Sequence, residues 1–96
     1  MNYKNLPDYV FVLEKPGDVL RMPFRKIKEH EETIIEDNMA FAFMHGESKK
    51  KINEYETQAR REWKELKDKL RDNPNMILIL DETTERYVPY VKNPNT

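Results

Sequence analysis

The sequence predicts an α+β domain: an antiparallel sheet of hairpins, in the order ββββαββ, with one long amphipathic helix packed across it. Three observations carry that expectation. Between Ser48 and Asp72, Ile52, Tyr55, Ala59, Trp63, Leu66 and Leu70 recur every three or four residues within charged sequence. At about 100° per residue they fall in a stripe roughly 80° wide, the mark of a helix laid on an apolar surface. Two short runs, Tyr9 to Leu13 and Met76 to Leu80, are apolar on both faces and bounded by turn residues, as buried strands are.

Taken in order, Tyr-Val-Phe-Val-Leu at 9–13 is the first strand, and Lys15-Pro16-Gly17-Asp18 ends it with the residues of a type II turn. A second strand is expected from Val19 to Ile27, on a sheet edge or with a bulge, because Pro23 cannot donate to a ladder. Lys28 to Glu32 reads as a charged connector. Thr33 to Ile35 and Met39 to Met44 then read as a second hairpin turning at Glu36-Asp37-Asn38, with helix as the rival reading. In that hairpin Met39, Phe41 and Phe43 share one face.

Gly46 breaks the strand, Ser48 caps the long helix and Asn73-Pro74 ends it. Met76 to Leu80 is the buried central strand, Asp81 to Glu85 a turn, and Arg86 to Val91 a last strand that Pro89 marks as an edge. Trp63 and Leu66 are expected at the centre of the helix-on-sheet contact, without which hairpins this short are not stable. The domain spans 1–91, with 92–96 as a flexible C-terminal tail.

Composition narrows the function. The 96 residues suffice for one core. An apolar fraction of 38% against 36% charged residues makes that core small and the surface densely ionic. Seventeen basic and eighteen acidic residues leave a formal charge of −1, so no global field steers the protein to nucleic acid or an anionic membrane. There is no cysteine, hence no disulfide, thiolate nucleophile or Cys-ligated zinc. No apolar run spans a bilayer and no leader is evident, so the expectation is a cytoplasmic protein without a membrane partner.

Catalytic motifs are lacking. His30-Glu31-Glu32 has no second His of an HExxH zinc site, and His45-Gly46-Glu47 has no PCxxC counterpart. Ser48, the only serine, sits in no GxSxG elbow. The apolar run ending in Asp81-Glu82 is that of a Walker B strand but has no Walker A loop beside it. No catalytic residue, metal ligand or cofactor is assigned, and the expectation is a protein that is not an enzyme.

Two charged features could bind a partner. Arg60, Lys64, Lys67 and Arg71, with Lys49 near the same line, flank one side of the apolar stripe, while Glu54, Glu62, Glu65 and Asp72, interrupted by Lys69, flank the other. The basic flank could dock an acidic protein surface. The plain alternative is a solvated helix laced by pairs such as Glu56 with Arg60 and Glu65 with Lys69, worth a few tenths of a kcal/mol each. Lys49, Lys50 and Lys51 oppose the helix dipole, and with the backbone N–H groups of the helix start could hold a phosphate. Against this, the segment is no P-loop and Glu47 would repel an anion.

The first expectation is therefore a non-enzymatic binding protein that occupies a protein partner through the helix flanks or an open sheet edge. In composition it resembles the small accessory proteins with which phages and mobile elements block a host factor. The alternatives are a binder of a small anionic ligand or nucleotide at Lys49 to Lys51, or a weak nucleic-acid module using the basic flank with Tyr87 and Tyr90. A parallel helix pair joining basic to acidic flank is a further route to self-association.

Overall fold

The computed structural model describes residues 6–91; the expected tail at 92–96 lies outside them. The chain runs β1 (Tyr9–Lys15), β2 (Asp18–Pro23), α1 (Phe24–Met44), α2 (Lys49–Asp72), β3 (Ile77–Asp81) and β4 (Arg86–Pro89). It is an α+β fold in two layers, but the order is ββααββ. The expected second hairpin at 33–44 is the distal half of a helix.

The helix was hidden by one residue. Its buried positions are Phe24, Ile27, Glu31 and Ile35, a stripe at helical spacing whose third member is a carboxylate. A charge at a core position makes the run read as a connector. The period-two pattern of Met39 to Met44 fits a helix equally well, since Ala40 and Ala42 are strong helix formers. The second strand correspondingly stops at Pro23, the residue before the helix, whose φ of −58° suits either fate. Phe24 N–H then donates to the Asp8 carbonyl at 2.8 Å, tying the start of α1 to the entry of β1.

The sheet is mixed, not purely antiparallel. Its order is β2-β1-β3-β4. β1 pairs antiparallel with β2 and β3 with β4, while the central pair β1 and β3 is parallel, with Phe11 opposite Ile77 and Leu13 opposite Ile79. A parallel pair needs a long crossover, and the two helices supply it. Pro23 and Pro89 fall in β2 and β4, which are the two edges, as their missing donors require.

The core lies between the helices and one sheet face. Val10, Val12 and Leu78 meet Phe24 and Ile27 of α1 and Trp63, Leu66 and Leu70 of α2. Trp63 is 4% exposed and stacks on Phe24 with ring centroids 5.9 Å apart. From Ala59 to Leu70 the expected stripe of α2 is thus consumed by intramolecular packing, while Ile52 and Tyr55 stay partly exposed. That removes the interface on which a parallel α2 pair would depend.

Candidate functional site

Helix lengths create the most prominent surface. At about 1.5 Å per residue, α1 and α2 span roughly 31 and 36 Å, whereas a strand of five residues spans about 17 Å. Burial follows this mismatch: it ends at Ile35 in α1 and begins at Ala59 in α2. Residues between them form a helical hairpin that projects past the sheet.

The tip of this hairpin is well ordered by local chemistry. Gly46 N–H donates to Phe43 O at 3.1 Å and Glu47 N–H to Ala42 O at 3.0 Å, a Schellman closure in which Gly46 adopts φ +78°. Ser48 Oγ accepts from Lys51 N–H at 3.2 Å and so caps α2 as expected. Asn38 Nδ2 donates to the Tyr55 hydroxyl at 2.9 Å, joining the helices below the turn.

On this rigid turn Phe41, Phe43 and Met44 stand 64%, 72% and 81% exposed. Phe43 also forms one wall of an open groove of about 560 Å³ with Met39, Ala40 and Ile52, with Lys49 and Asn53 at its rim. Phe41 and Phe43, two residues apart, point to different sides of α1, Phe41 meeting the His45 ring edge-on at 4.0 Å while Phe43 faces the groove. The tip thus presents large apolar side chains around its turn, and such exposure is the usual mark of a contact surface. The sequence reading placed these residues on sheet faces. A helical reading finds them, because all three fall off the line of Phe24, Ile27, Glu31 and Ile35.

The basic flank is occupied by its own helix. Arg60 Nε bonds Glu56 Oε2 at 2.9 Å, Lys64 Nζ bonds Asp68 Oδ2 at 3.2 Å, and Arg71 Nη1 lies 3.2 Å from Asp68 Oδ1. The hydrogen bond from Lys64 holds the Asp68 carboxyl below its usual range. Lys67 Nζ sits 5.2 Å from the Trp63 ring centroid, and burial there lowers its pKa. The pair of Glu56 with Arg60 forms as expected, and exposed pairs of this kind contribute little.

The helix start is also partly used. One of its orphan donors goes to Ser48 Oγ, and Lys51 Nζ lies 3.8 Å from Glu47 Oε2. Lys49 and Lys50 are exposed. From residue 49 to residue 71 is about 33 Å of helix, so the three lysines and the flank form no single site.

A second polar cluster escaped the sequence reading. Glu31, 1% exposed, accepts from Arg86 Nε at 2.9 Å and from Tyr87 N–H at 3.2 Å. Arg86 also donates to Ala59 O at 3.2 Å and to Glu62 Oε1 at 3.4 Å. Beside it His30 Nε2 lies 2.6 Å from Glu85 O, and its ring meets Tyr87 edge-on at 5.0 Å. Among the described residues no buried side-chain nitrogen or oxygen lacks a hydrogen-bond partner, which suits a clasp between α1, α2 and β4 better than a reactive centre. A cleft of about 300 Å³ adjoins it, lined by Glu62, Glu65, Lys69 and Tyr87. Burial pushes the Tyr87 hydroxyl above its ordinary value.

Among the described residues no group of three His, Asp or Glu side chains could hold a metal ion, and no helix is long and apolar enough to cross a membrane. Comparison with known protein families, curated proteins and solved structures gives no match for this chain.

Proposed function

We propose that the chain is a non-enzymatic binding protein that occupies a protein partner through the tip of its helical hairpin. The observation that carries this reading is the exposure of Phe41, Phe43 and Met44 on a capped, hydrogen-bonded turn. Rigid aromatic anchors lose little entropy on binding and dominate interface energies. Lys49 and Glu47, which line the groove with Phe43, give it a polar, charged margin, the usual anatomy of a protein interface. The basic flank of α2, with Arg60, Lys64, Lys67 and Arg71, supplies at most rim contacts in this reading, since its ion pairs must open first. Obstruction of a host factor is the mode of action its composition suggests.

The test compares the wild-type chain with the triple variant Phe41→Ser, Phe43→Ser, Met44→Ser in affinity capture from the source cell. A partner retained by the wild type and lost from the folded variant is the expected result. Equal capture by both overturns the tip as the contact. A thermal-shift screen with phosphate and nucleotides tests the anionic-ligand alternative at Lys49 to Lys51, where ligand at a hundredfold Kd adds about 2.7 kcal/mol.

A further inference from the structure

The helices cover one face of the sheet only. Val10, Val12 and Leu78 on that face are 0 to 6% exposed. Their strand neighbours Phe11, Leu13, Ile77 and Ile79 alternate to the other face and keep intermediate exposure, and no described element lies over them. Val19 of β2, opposite Leu13, and Val88 of β4, opposite Ile79, complete an apolar row across all four strands. The next row reads Arg21, Phe11, Ile77 and Tyr90, the last held in register by its N–H bond to Ile77 O at 2.8 Å. Arg21 is the one charge in the two rows, and it lies 4.3 Å from the Tyr9 ring centroid.

We propose that a second copy of the chain covers this face, the two sheets stacking about a twofold axis that runs parallel to the strands between β1 and β3. The order of the strands makes the face self-complementary about that axis. β2 of one copy lies over β4 of the other, and β1 over β3. Val19 then meets Val88, Leu13 meets Ile79 and Phe11 meets Ile77. The charge falls opposite Tyr90 of the second copy, where an aromatic ring and a hydroxyl both suit a guanidinium. A twofold axis across the strands, passing between the two rows, would instead lay β2 over β2 and set Arg21 on Val19 of the second copy, an apolar side chain that leaves the guanidinium without a partner.

The size fits a weak dimer. Four strands at about 4.8 Å and five residues at about 3.4 Å make a plane of roughly 19 by 17 Å. With side-chain relief on both copies this amounts to roughly 1,000 Å², the small end of specific interfaces. Sheets stacked this way sit about 10 Å apart with strands within about 30° of alignment, and each copy keeps its helices outside. The resulting α/β/β/α assembly leaves both hairpin tips free, so it is independent of the docking reading above.

Sedimentation equilibrium of the full chain across the micromolar range tests this. The expected result is a reversible dimer, weakened about tenfold or more by Val19→Lys or Val88→Lys, which bury an unmatched charge. Both residues are exposed, at 43% and 36%, so the monomer should fold and melt as the wild type does. The axis is read separately, because the chain has no cysteine. A short bismaleimide should join a Val19→Cys chain to a Val88→Cys chain and should not join Val19→Cys to itself. A monomer at every concentration, a dimer indifferent to both lysine variants, or Val19→Cys self-coupling would overturn the proposal. The triple tip variant should dimerise normally; loss of the dimer there would assign self-association to the tip and overturn the sheet interface too.

Discussion

Glu31 of α1 and Arg86 of β4, 55 residues apart, form the one ion pair among the described residues in which both side chains are largely buried, Arg86 at 12% and Glu31 at 1% exposed. The pair closes the fold at the point where the last strand meets both helices. Taking two charges out of water is unfavourable, and the matched hydrogen bonds to Tyr87 N–H and Ala59 O are what offset it.

Removing one partner should therefore do more harm than removing both. Glu31→Leu or Arg86→Met each leaves a buried charge and is expected to cost about 3–5 kcal/mol. The double change Glu31→Leu, Arg86→Met should cost less than either single. Urea unfolding of the four species checks this, and additive losses would show that the two side chains act separately.

Trp63→Ala is expected to cost about 3–5 kcal/mol, because the indole fills the centre of the core and its stacking on Phe24 goes with it. In a domain this small the variant should be largely unfolded at ambient temperature. A melting curve like that of the wild type would contradict the placement of Trp63 between helices and sheet.

Glu85 is the one described non-glycine residue with positive φ, at 59°, where an L side chain crowds its own backbone. Its contribution to the clasp is its carbonyl, which any residue keeps. Glu85→Gly should thus raise stability by about 1 kcal/mol, read as a higher melting temperature. A fall would mean that the side chain supports the turn in solution.

Tyr87 gives the alkaline limb of stability a definite sign. Burial raises its folded pKa above 10.0, its value in the unfolded chain. Its contribution is fully present below that value and is lost as pH climbs from there through the folded one. Lys67 works the other way, since burial lowers its pKa and stability recovers as it sheds its proton. The difference between wild type and Tyr87→Phe isolates the first effect. The variant should decline less steeply above pH 10, measured by urea midpoints, and an identical decline would place the hydroxyl in water.

Strand signals with helix-independent chemistry were legible: Pro23 and Pro89 marked edges, Gly17 a turn, and Ser48 the start of α2. The stripe from Ile52 to Leu70 was legible because every member is apolar or aromatic. The first helix was not, because Glu31 can occupy its core position only when Arg86, distant in sequence, answers it. The parallel pairing of β1 and β3 followed the same loss, since with one helix assumed the four N-terminal strands had to close on each other. With Met39 to Met44 taken as a strand, the tip could not be seen as a site.

The tip yields the last prediction. If Phe41, Phe43 and Met44 serve binding and not folding, replacing all three with Ser should leave global stability within about 0.5 kcal/mol per site. The Schellman bonds at Gly46 and Glu47 use backbone groups alone and should survive. Apolar surface should fall at the same time, read as weaker binding of a hydrophobic dye by the folded variant. A large loss of stability would show that the three side chains fold back on the helices in solution, and would remove the tip as a contact surface. A gain in solubility with an almost unchanged melting curve is the expected outcome, because side chains this exposed contribute little to folding until a partner covers them.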